Sequence, residues 1–335
     1  MRDVAALAGV SVMTVSNVLN RPEIVRPPTR QRVLDAIEEL GFVRNASARR
    51  LRSGRSSTIG LVLLDLSNAV FAVLARSVED VASAAGLQVL LCATHGRPER
   101  EAARLEALVE QGVEGVLITP GDPASPQLAA LRQRRIPVVL VDRPASGPDA
   151  CSVSVDDGLG GRLAAEHVLS LGHERIAVVG GQQRSPHVQA RLAAVHEVTG
   201  EEHLSVLSPD AVTVAAGREA AALIVGMPAA RRPTAAICAN DLVAMGLLQE
   251  MLRHGVAVPD EFAIVGFDDI ELAAAAAVPL TSVRRPWQEL GRRATELLLD
   301  EARGTDHVHQ QVLLRPTLAV RESSGAVQRA RRTPA

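Results

Sequence analysis

The sequence predicts a small helical N-terminal head followed by an α/β body of two doubly wound lobes, each built on a parallel sheet. Three observations carry this. Residues 1–43 hold three short amphipathic helical stretches punctuated by glycine and proline. From Ser57 onward, continuous apolar runs alternate with helical stretches, the mark of parallel strands covered on both faces. That rhythm then restarts near residue 155, so the unit is doubled. With 335 residues and 47% hydrophobic content, the chain can support two to three domains around a large core.

In the head, Asp3-Val4-Ala5-Ala6-Leu7-Ala8 reads as a short amphipathic helix, and Gly9-Val10 as a turn needing a residue that tolerates positive φ. Ser11 caps a second helix, Val12 to Asn20, in which Thr14, Ser16 and Asn20 offer short polar side chains beside buried Val15, Val18 and Leu19. A third helix follows Pro27-Pro28-Thr29 and is expected to bury Val33, Leu34, Ile37 and Leu40 before Gly41 ends it. Helix, glycine turn, helix is the helix-turn-helix arrangement, whose second helix enters the major groove of DNA. Charge agrees: residues 1–55 hold ten Arg against five acids, and the remainder 26 Arg against 33 acids. A basic head on an acidic body suits a protein that grips a polyanion with one end.

Residues 44–57 form a basic connection in which Asn45 can cap one helical stretch, Ala46 to Arg52, ended by Ser53-Gly54. Alone, that stretch is too short to be helical, so it is expected to fold on DNA. In the body, strands are expected at Ile59–Asp65, Leu87–Cys92, Gly115–Ile118, Pro137–Asp142, Arg175–Gly180, Ala235–Cys238, Phe262–Gly266 and Leu280–Val283, with an extended pair at Val312–Arg321. Helices fall between them, at 70–85, 99–111, 126–134, 158–171, near 190, at 217–225, 242–254 and 288–302. The expected division is a head at 1–43, a hinge and linker at 44–57, a body at 58–325 and a disordered tail at 326–335. The N-lobe takes about 58–154 and 284–314, and the C-lobe about 155–283 and 315–325.

Several classes are excluded. The chain has no lysine, which removes Schiff-base, pyridoxal-phosphate and P-loop chemistry. Gly158-Leu-Gly160-Gly161 lacks dinucleotide-binding spacing and reads as a helix start. Cys92, Cys151 and Cys238 are far apart, and the nine His do not gather with Cys or acids at ligand spacing; His307-x-His309 is a weak metal signal. No metal, no cofactor and no nucleophile–base arrangement is therefore expected, and the chain is not read as an enzyme. It lacks a long apolar run and an N-terminal signal-peptide core, so a cytoplasmic protein without a membrane partner is expected. Strand C-termini nominate a ligand cleft holding Asp142, Asn240-Asp241 and Asp268-Asp269, with Arg191 offering a planar donor fork nearby.

The string DVAALAGVSVMTVSNVLN resembles the opening of the lac repressor/gal repressor family of bacterial regulators. GHERIAVVGG at 172–181, ANDLVAMG at 239–246, VGFDDIELA at 265–273, PLTSV at 279–283, ELGRRA at 289–294 and LAVRESS at 318–324 extend the resemblance over roughly residues 2–324. It implies a periplasmic-binding-protein-like body and a homodimer that represses transcription from a near-palindromic double-stranded DNA operator. It further implies a small effector, a sugar or a nucleoside or nucleobase, in the interlobe cleft. The resemblance places Val12, Met13 and Asn17 opposite base edges, with Ser11, Thr14, Ser16 and Asn20 on the same helix. In the hinge it places Leu51 as a minor-groove wedge beside Asn45 and Arg49. Asp142, Arg191, Asn240 and Asp268 match effector-facing positions, and Phe71 and Trp287 match apolar wall positions. Asn17 departs from the pattern, which usually has Arg there.

Overall fold

A computed structural model describes residues 1–42, 57–180, 186–209, 211–304 and 306–325. The hinge residues Asn45, Arg49 and Leu51 and the tail after residue 325 lie outside them. The chain divides into two units, Met1–Ser56 and Ser57–Ala335.

The head consists of α1 (Arg2–Leu7), α2 (Val12–Asn20) and α3 (Pro27–Glu39). Gly9 takes φ 62° between the first two helices, a left-handed conformation that a side chain would strain. Ser11 caps α2 by accepting from the Thr14 N–H at 3.1 Å. Val4, Ala8, Val15, Val18, Val33 and Ala36 form the core, and small residues suffice because three short helices enclose little volume. Two residues expected inside are not: Leu34 and Leu40 are 42% and 45% exposed. Val33 and Ala36 take the inward stripe of α3, and Leu40 caps the helix beyond its last turn.

The second unit contains two six-stranded sheets. The first is formed by β1 (Thr58–Leu63), β2 (Gln88–Ala93), β3 (Val116–Ile118), β4 (Val138–Val141), β5 (Cys151–Val155) and β11 (Gln311–Leu314). They run in the order β11-β5-β4-β3-β1-β2, all parallel. The second is formed by β6 (Ile176–Val179), β7 (Leu204–Leu207), β8 (Ala235–Cys238), β9 (Ala263–Asp268), β10 (Thr281–Arg284) and β12 (Thr317–Ala319). Its order is β12-β10-β9-β8-β6-β7, with only β12 antiparallel. Helices α4 (Val70–Ala84), α5 (Pro98–Gln111), α6 (Pro126–Gln133), α7 (Asp157–Ser170), α8 (Pro186–Thr199), α9 (Val214–Gly226), α10 (Asp241–Arg253), α11 (Glu271–Ala274) and α12 (Trp287–Arg303) complete the body. Among the described residues, no helix is long and apolar enough to cross a membrane.

Two strands go beyond the sequence reading. β5, Cys-Ser-Val-Ser-Val, is buried throughout, although its serines suggested nothing of a central strand. β7 is a half-buried edge strand in a stretch between two expected helices to which the sequence reading assigns no element. The chain passes between the sheets three times, at 156, at 285–286 and at 315–316. Helix α12 accordingly packs on α4, β4 and β5 of the first lobe, while α7 packs on α8 and β12 of the second.

Close packing and a buried carboxyl govern the second lobe. A Cβ at Gly161 of α7 would lie 2.4 Å from the Arg191 carbonyl oxygen, so α8 can approach only a glycine. Gly161→Ala should destabilise the protein by about 1–3 kcal/mol through overpacking, read as a lower urea midpoint; an unchanged midpoint would show that the helices move apart freely. Asp241 accepts from the Ile270 N–H at 2.8 Å and the Ser282 hydroxyl at 2.7 Å. Burial pushes its carboxyl up to about 8; the Ser282 and Ile270 hydrogen bonds oppose this, and Asp268 and Asp269 reinforce it. The folded state therefore favours the protonated acid, whose stabilising contribution is complete below the ordinary carboxylate range and lost as pH rises through about 8. Asp241→Asn, which keeps one acceptor and one donor, should flatten the fall in unfolding midpoint over that window. A variant whose midpoint follows pH as the wild type does would refute the assignment.

Candidate functional site

The cleft between the two sheets of the body is lined at strand C-termini, where parallel strands aim their last residues at one opening. Asp142 follows β4 with φ 58°, and Asp268 ends β9 with φ 98°. Both are buried. Left-handed backbone at non-glycine residues is sparsely populated, and aspartate tolerates it through local hydrogen bonding.

Between these carboxylates lies a residue the sequence reading missed. Arg285 occupies the second crossing, directly after β10, and its side chain is buried. Its Nη2 donates to Asp142 Oδ1, and Nη1 reaches Asp142 Oδ2 at 3.4 Å. Nη2 stands 3.7 Å from Asp157 Oδ2 and Nη1 3.8 Å from Asp268 Oδ1. One guanidinium thus bridges an acid of the first lobe and two of the second. Burial would lower its proton affinity, but Asp142, Asp157 and Asp268 together raise it further above the usual arginine range. Its Cζ also lies 4.4 Å from the centre of the Trp287 ring, which packs edge-to-face with Phe71 at 6.1 Å.

Asp157, in the first turn of α7, is the second anchor. It accepts from Arg191 Nε at 2.8 Å and pairs with His187 Nδ1 at 2.5 Å. Burial alone would raise this carboxyl, but Arg191, Arg285 and His187 overcome it and hold Asp157 well below the usual carboxylate range. Burial pushes Asp268 upward, and Arg285, Arg191 and the Asn68 hydrogen bond do not cancel it. Arg191 also donates to the Ala239 carbonyl at 2.8 Å and stacks 3.6 Å over the Phe267 ring.

Of the six sequence-predicted cleft residues, Asp142, Arg191, Asp268, Phe71 and Trp287 come together around Arg285. Asn240 differs. Its Oδ1 accepts from the Val243 N–H at 2.9 Å, capping α10, and its Nδ2 donates to the Val212 carbonyl at 3.2 Å. One donor and one acceptor of that amide are thereby engaged within the protein. Arg285, Asp157, His187 and Arg143 were missed, though applying the strand C-terminus rule to β10 would have reached Arg285.

Among the described residues, several buried donors beside the cleft acids have no hydrogen-bond partner: Arg143 Nε and Nη1, Arg285 Nε and Trp287 Nε1. A buried donor without an acceptor is costly, so these groups suit a ligand carrying several acceptors. Such a ligand could also donate to Asp142 and Asp268. The arrangement can hold a compact, polyhydroxylated molecule; among the described residues it brings no nucleophile beside a base.

On the head, α2 turns Val12 and Met13 outward, 44% and 69% exposed, with Asn17 half-buried on the next turn. Ser11 and Thr14 are joined by a hydroxyl hydrogen bond of 2.9 Å, and the Asn20 amide donates to the Ser16 carbonyl at 2.8 Å. These four polar residues thus hold one another at the two ends of the helix.

One expectation is overturned outside the cleft. The histidines do gather with a cysteine and an acid: Cys151, Glu301, His307 and His309 bring their ligand-type atoms within 4.8 Å of one another. Spacing could not reveal this, because Cys151 and His307 are 156 residues apart.

Comparison with known proteins agrees with the two units. Residues 1–45 match the bacterial regulatory proteins of the lacI family, and residues 165–324 a periplasmic binding protein-like domain. The HTH-type transcriptional repressor PurR of Aliivibrio fischeri (strain MJ11) is 31% identical over 330 residues, covering 96% of this chain and 97% of its own. The lac repressor dimer bound to operator and the anti-inducer ONPF superimposes with a TM-score of 0.82 at 26% identity, over 96% of this chain and 98% of that one. The complex of the transcriptional regulator CelR with cellobiose gives 0.69 at 31% identity over the same shares. With helix-turn-helix head, periplasmic-binding-protein-like body and near full-length similarity in agreement, the chain belongs to the lac repressor/gal repressor family of bacterial transcriptional regulators.

Proposed function

We propose that this chain is a ligand-responsive repressor that binds a near-palindromic operator as a homodimer and takes a small polyhydroxylated effector, a sugar or a nucleoside, into the interlobe cleft. The observation that carries the reading is Arg285, buried between Asp142 of one lobe and Asp157 and Asp268 of the other. An effector whose hydroxyls engage Asp142 and Asp268, and whose oxygens accept from Arg143, Arg191 and Trp287, competes for the same carboxylates and so alters how the lobes are tied. Phe71 and Trp287 supply the apolar wall. The cellobiose complex of a structural relative supports a hydroxyl-rich ligand. Coupling of about 1–3 kcal/mol between cleft and operator changes DNA affinity roughly 5–150-fold.

A thermal-shift screen of sugars, nucleosides and nucleobases tests this directly, followed by gel shifts on an operator selected from random duplexes. A dose-dependent rise in midpoint from one class, with a several-fold change in operator affinity, is expected, and the direction of that change separates inducer from corepressor. A stabilising ligand that left operator affinity unchanged would overturn the proposal. Asp268→Ala and Arg191→Ala should each abolish the ligand response while operator binding persists. A wild-type midpoint for the response in either variant would remove that residue from the cleft.

On the DNA side, Val12 and Met13 can read only shape and thymine methyls, whereas Asn17 can pair bidentately with adenine N6 and N7. The half-site should carry an A·T pair opposite Asn17. Asn17→Arg should shift preference there toward G·C by roughly 1–3 kcal/mol and leave other positions nearly unchanged. Selection of guanine opposite wild-type Asn17 would show that the helix sits differently in the groove.

A further inference from the structure

We propose that Cys151, Glu301, His307 and His309 form a binding site for one zinc ion, separate from the cleft. Cys151 is the first residue of β5, Glu301 lies in the last turn of α12, and the two histidines lie in the connection from α12 to β11. Strands β5 and β11 run parallel, so the group gathers where they begin, at the end of the sheet remote from their C-termini and the cleft.

The spacing fits tetrahedral coordination. Zinc bonds of about 2.3 Å to sulfur and 2.0–2.1 Å to nitrogen or oxygen put tetrahedral edges at about 3.3–3.6 Å. Cys151 Sγ lies 3.1 Å from His307 Nε2 and 3.6 Å from His309 Nδ1, and Glu301 Oε2 lies 3.9 Å from His307 Nε2. These three edges lie within a few tenths of an ångström of the tetrahedral values, and all four donor atoms lie within 4.8 Å of one another, so side-chain shifts of up to about an ångström would close them on one ion.

The outer partners are also in place. His307 Nδ1 donates to Asp300 Oδ2 at 2.7 Å, which fixes the tautomer and turns the Nε2 lone pair toward the thiol. The Gln310 N–H donates to Cys151 Sγ at 3.4 Å, a further contact on the sulfur beside the two imidazoles. Glu301 Oε2 is buried with no hydrogen-bond partner, an acceptor facing this group of donors.

Ligand chemistry selects the ion. A thiolate, two imidazoles and one carboxylate suit a borderline-soft divalent ion, not the oxygen-seeking magnesium or calcium. One thiolate and one carboxylate balance the two positive charges, leaving a neutral centre that can be buried. Four protein ligands make a closed, structural site. The ion would fasten the end of α12 and the connection after it to β5, on the segment that leads into the last crossing between lobes.

The test uses the untagged full-length chain, freed of metal with a chelator and titrated with zinc against a chromogenic competitor, then with cobalt. One equivalent per chain is expected, with a sulfur-to-cobalt charge-transfer band, intense tetrahedral visible bands and a rise in thermal midpoint with zinc. Cys151→Ser should lose the charge-transfer band. His309→Ala, at an exposed position that leaves the fold intact, should weaken zinc binding at least tenfold and abolish the thermal shift. Asp300→Asn should weaken binding by about 10–100-fold, as loss of an outer carboxylate does. A wild-type chain without stoichiometric zinc binding would leave only a thiol–imidazole hydrogen bond and overturn the proposal. Equal affinity in wild type and His309→Ala would also overturn it, by placing the ion elsewhere.

Discussion

A guanidinium enclosed by carboxylates from two lobes imposes a strict requirement, because neither the cation nor the acids can be left unpaired away from water. Arg285 sits where the chain leaves the second sheet for the first, so its pairing with Asp142, Asp157 and Asp268 is possible only when both lobes present their strand ends together. The other cleft residues are arranged around this requirement. Arg191 and His187 satisfy the remaining face of Asp157, Phe267 supports Arg191 from below, and Trp287 covers Arg285. Removing one member of a buried set of this kind typically costs about 3–5 kcal/mol, since the remaining charges stay buried without partners. The cleft is therefore a balanced charge assembly, not an apolar cavity, and under the proposed function a ligand would enter it by exchange of hydrogen bonds.

Small residues make this geometry accessible. The glycine pair in α7 serves packing: a Cβ at Gly160 would meet the Phe267 ring, and one at Gly161 the backbone at Arg191. Their role is to let α8 come close enough for Arg191 to reach Asp157. In the head the same economy operates, with valine and alanine filling a core too small for larger side chains.

Much of the fold was legible because apolar strands alternating with helices leave few arrangements. Asp142 and Asp268 were legible as cleft residues because strand C-termini in doubly wound sheets converge on one opening. What escaped notice had physical reasons. β5 carries Ser152 and Ser154, which are buried because the strand is central, whereas sequence alternation suggests half-exposed edges. Leu34 was expected inside on hydrophobicity alone, which cannot show how little core a three-helix head contains. Asn240 looked like a ligand contact, but an Asn between a strand and a helix serves equally well as a cap. Arg285 and the cluster around Cys151 depend on residues distant in sequence, and a linear pattern has no means of joining them.

The triple passage of the chain between the sheets has a mechanical consequence. Two bodies joined by a single strand can twist, slide and tilt with near independence. Joined at 156, 285–286 and 315–316 at once, they lose most of these degrees of freedom, because a movement that suits one connection must suit the other two. What survives is close to a single opening and closing coordinate. Under the proposed function, a small molecule would then need only to shift the balance along one axis, without defining a shape in three dimensions.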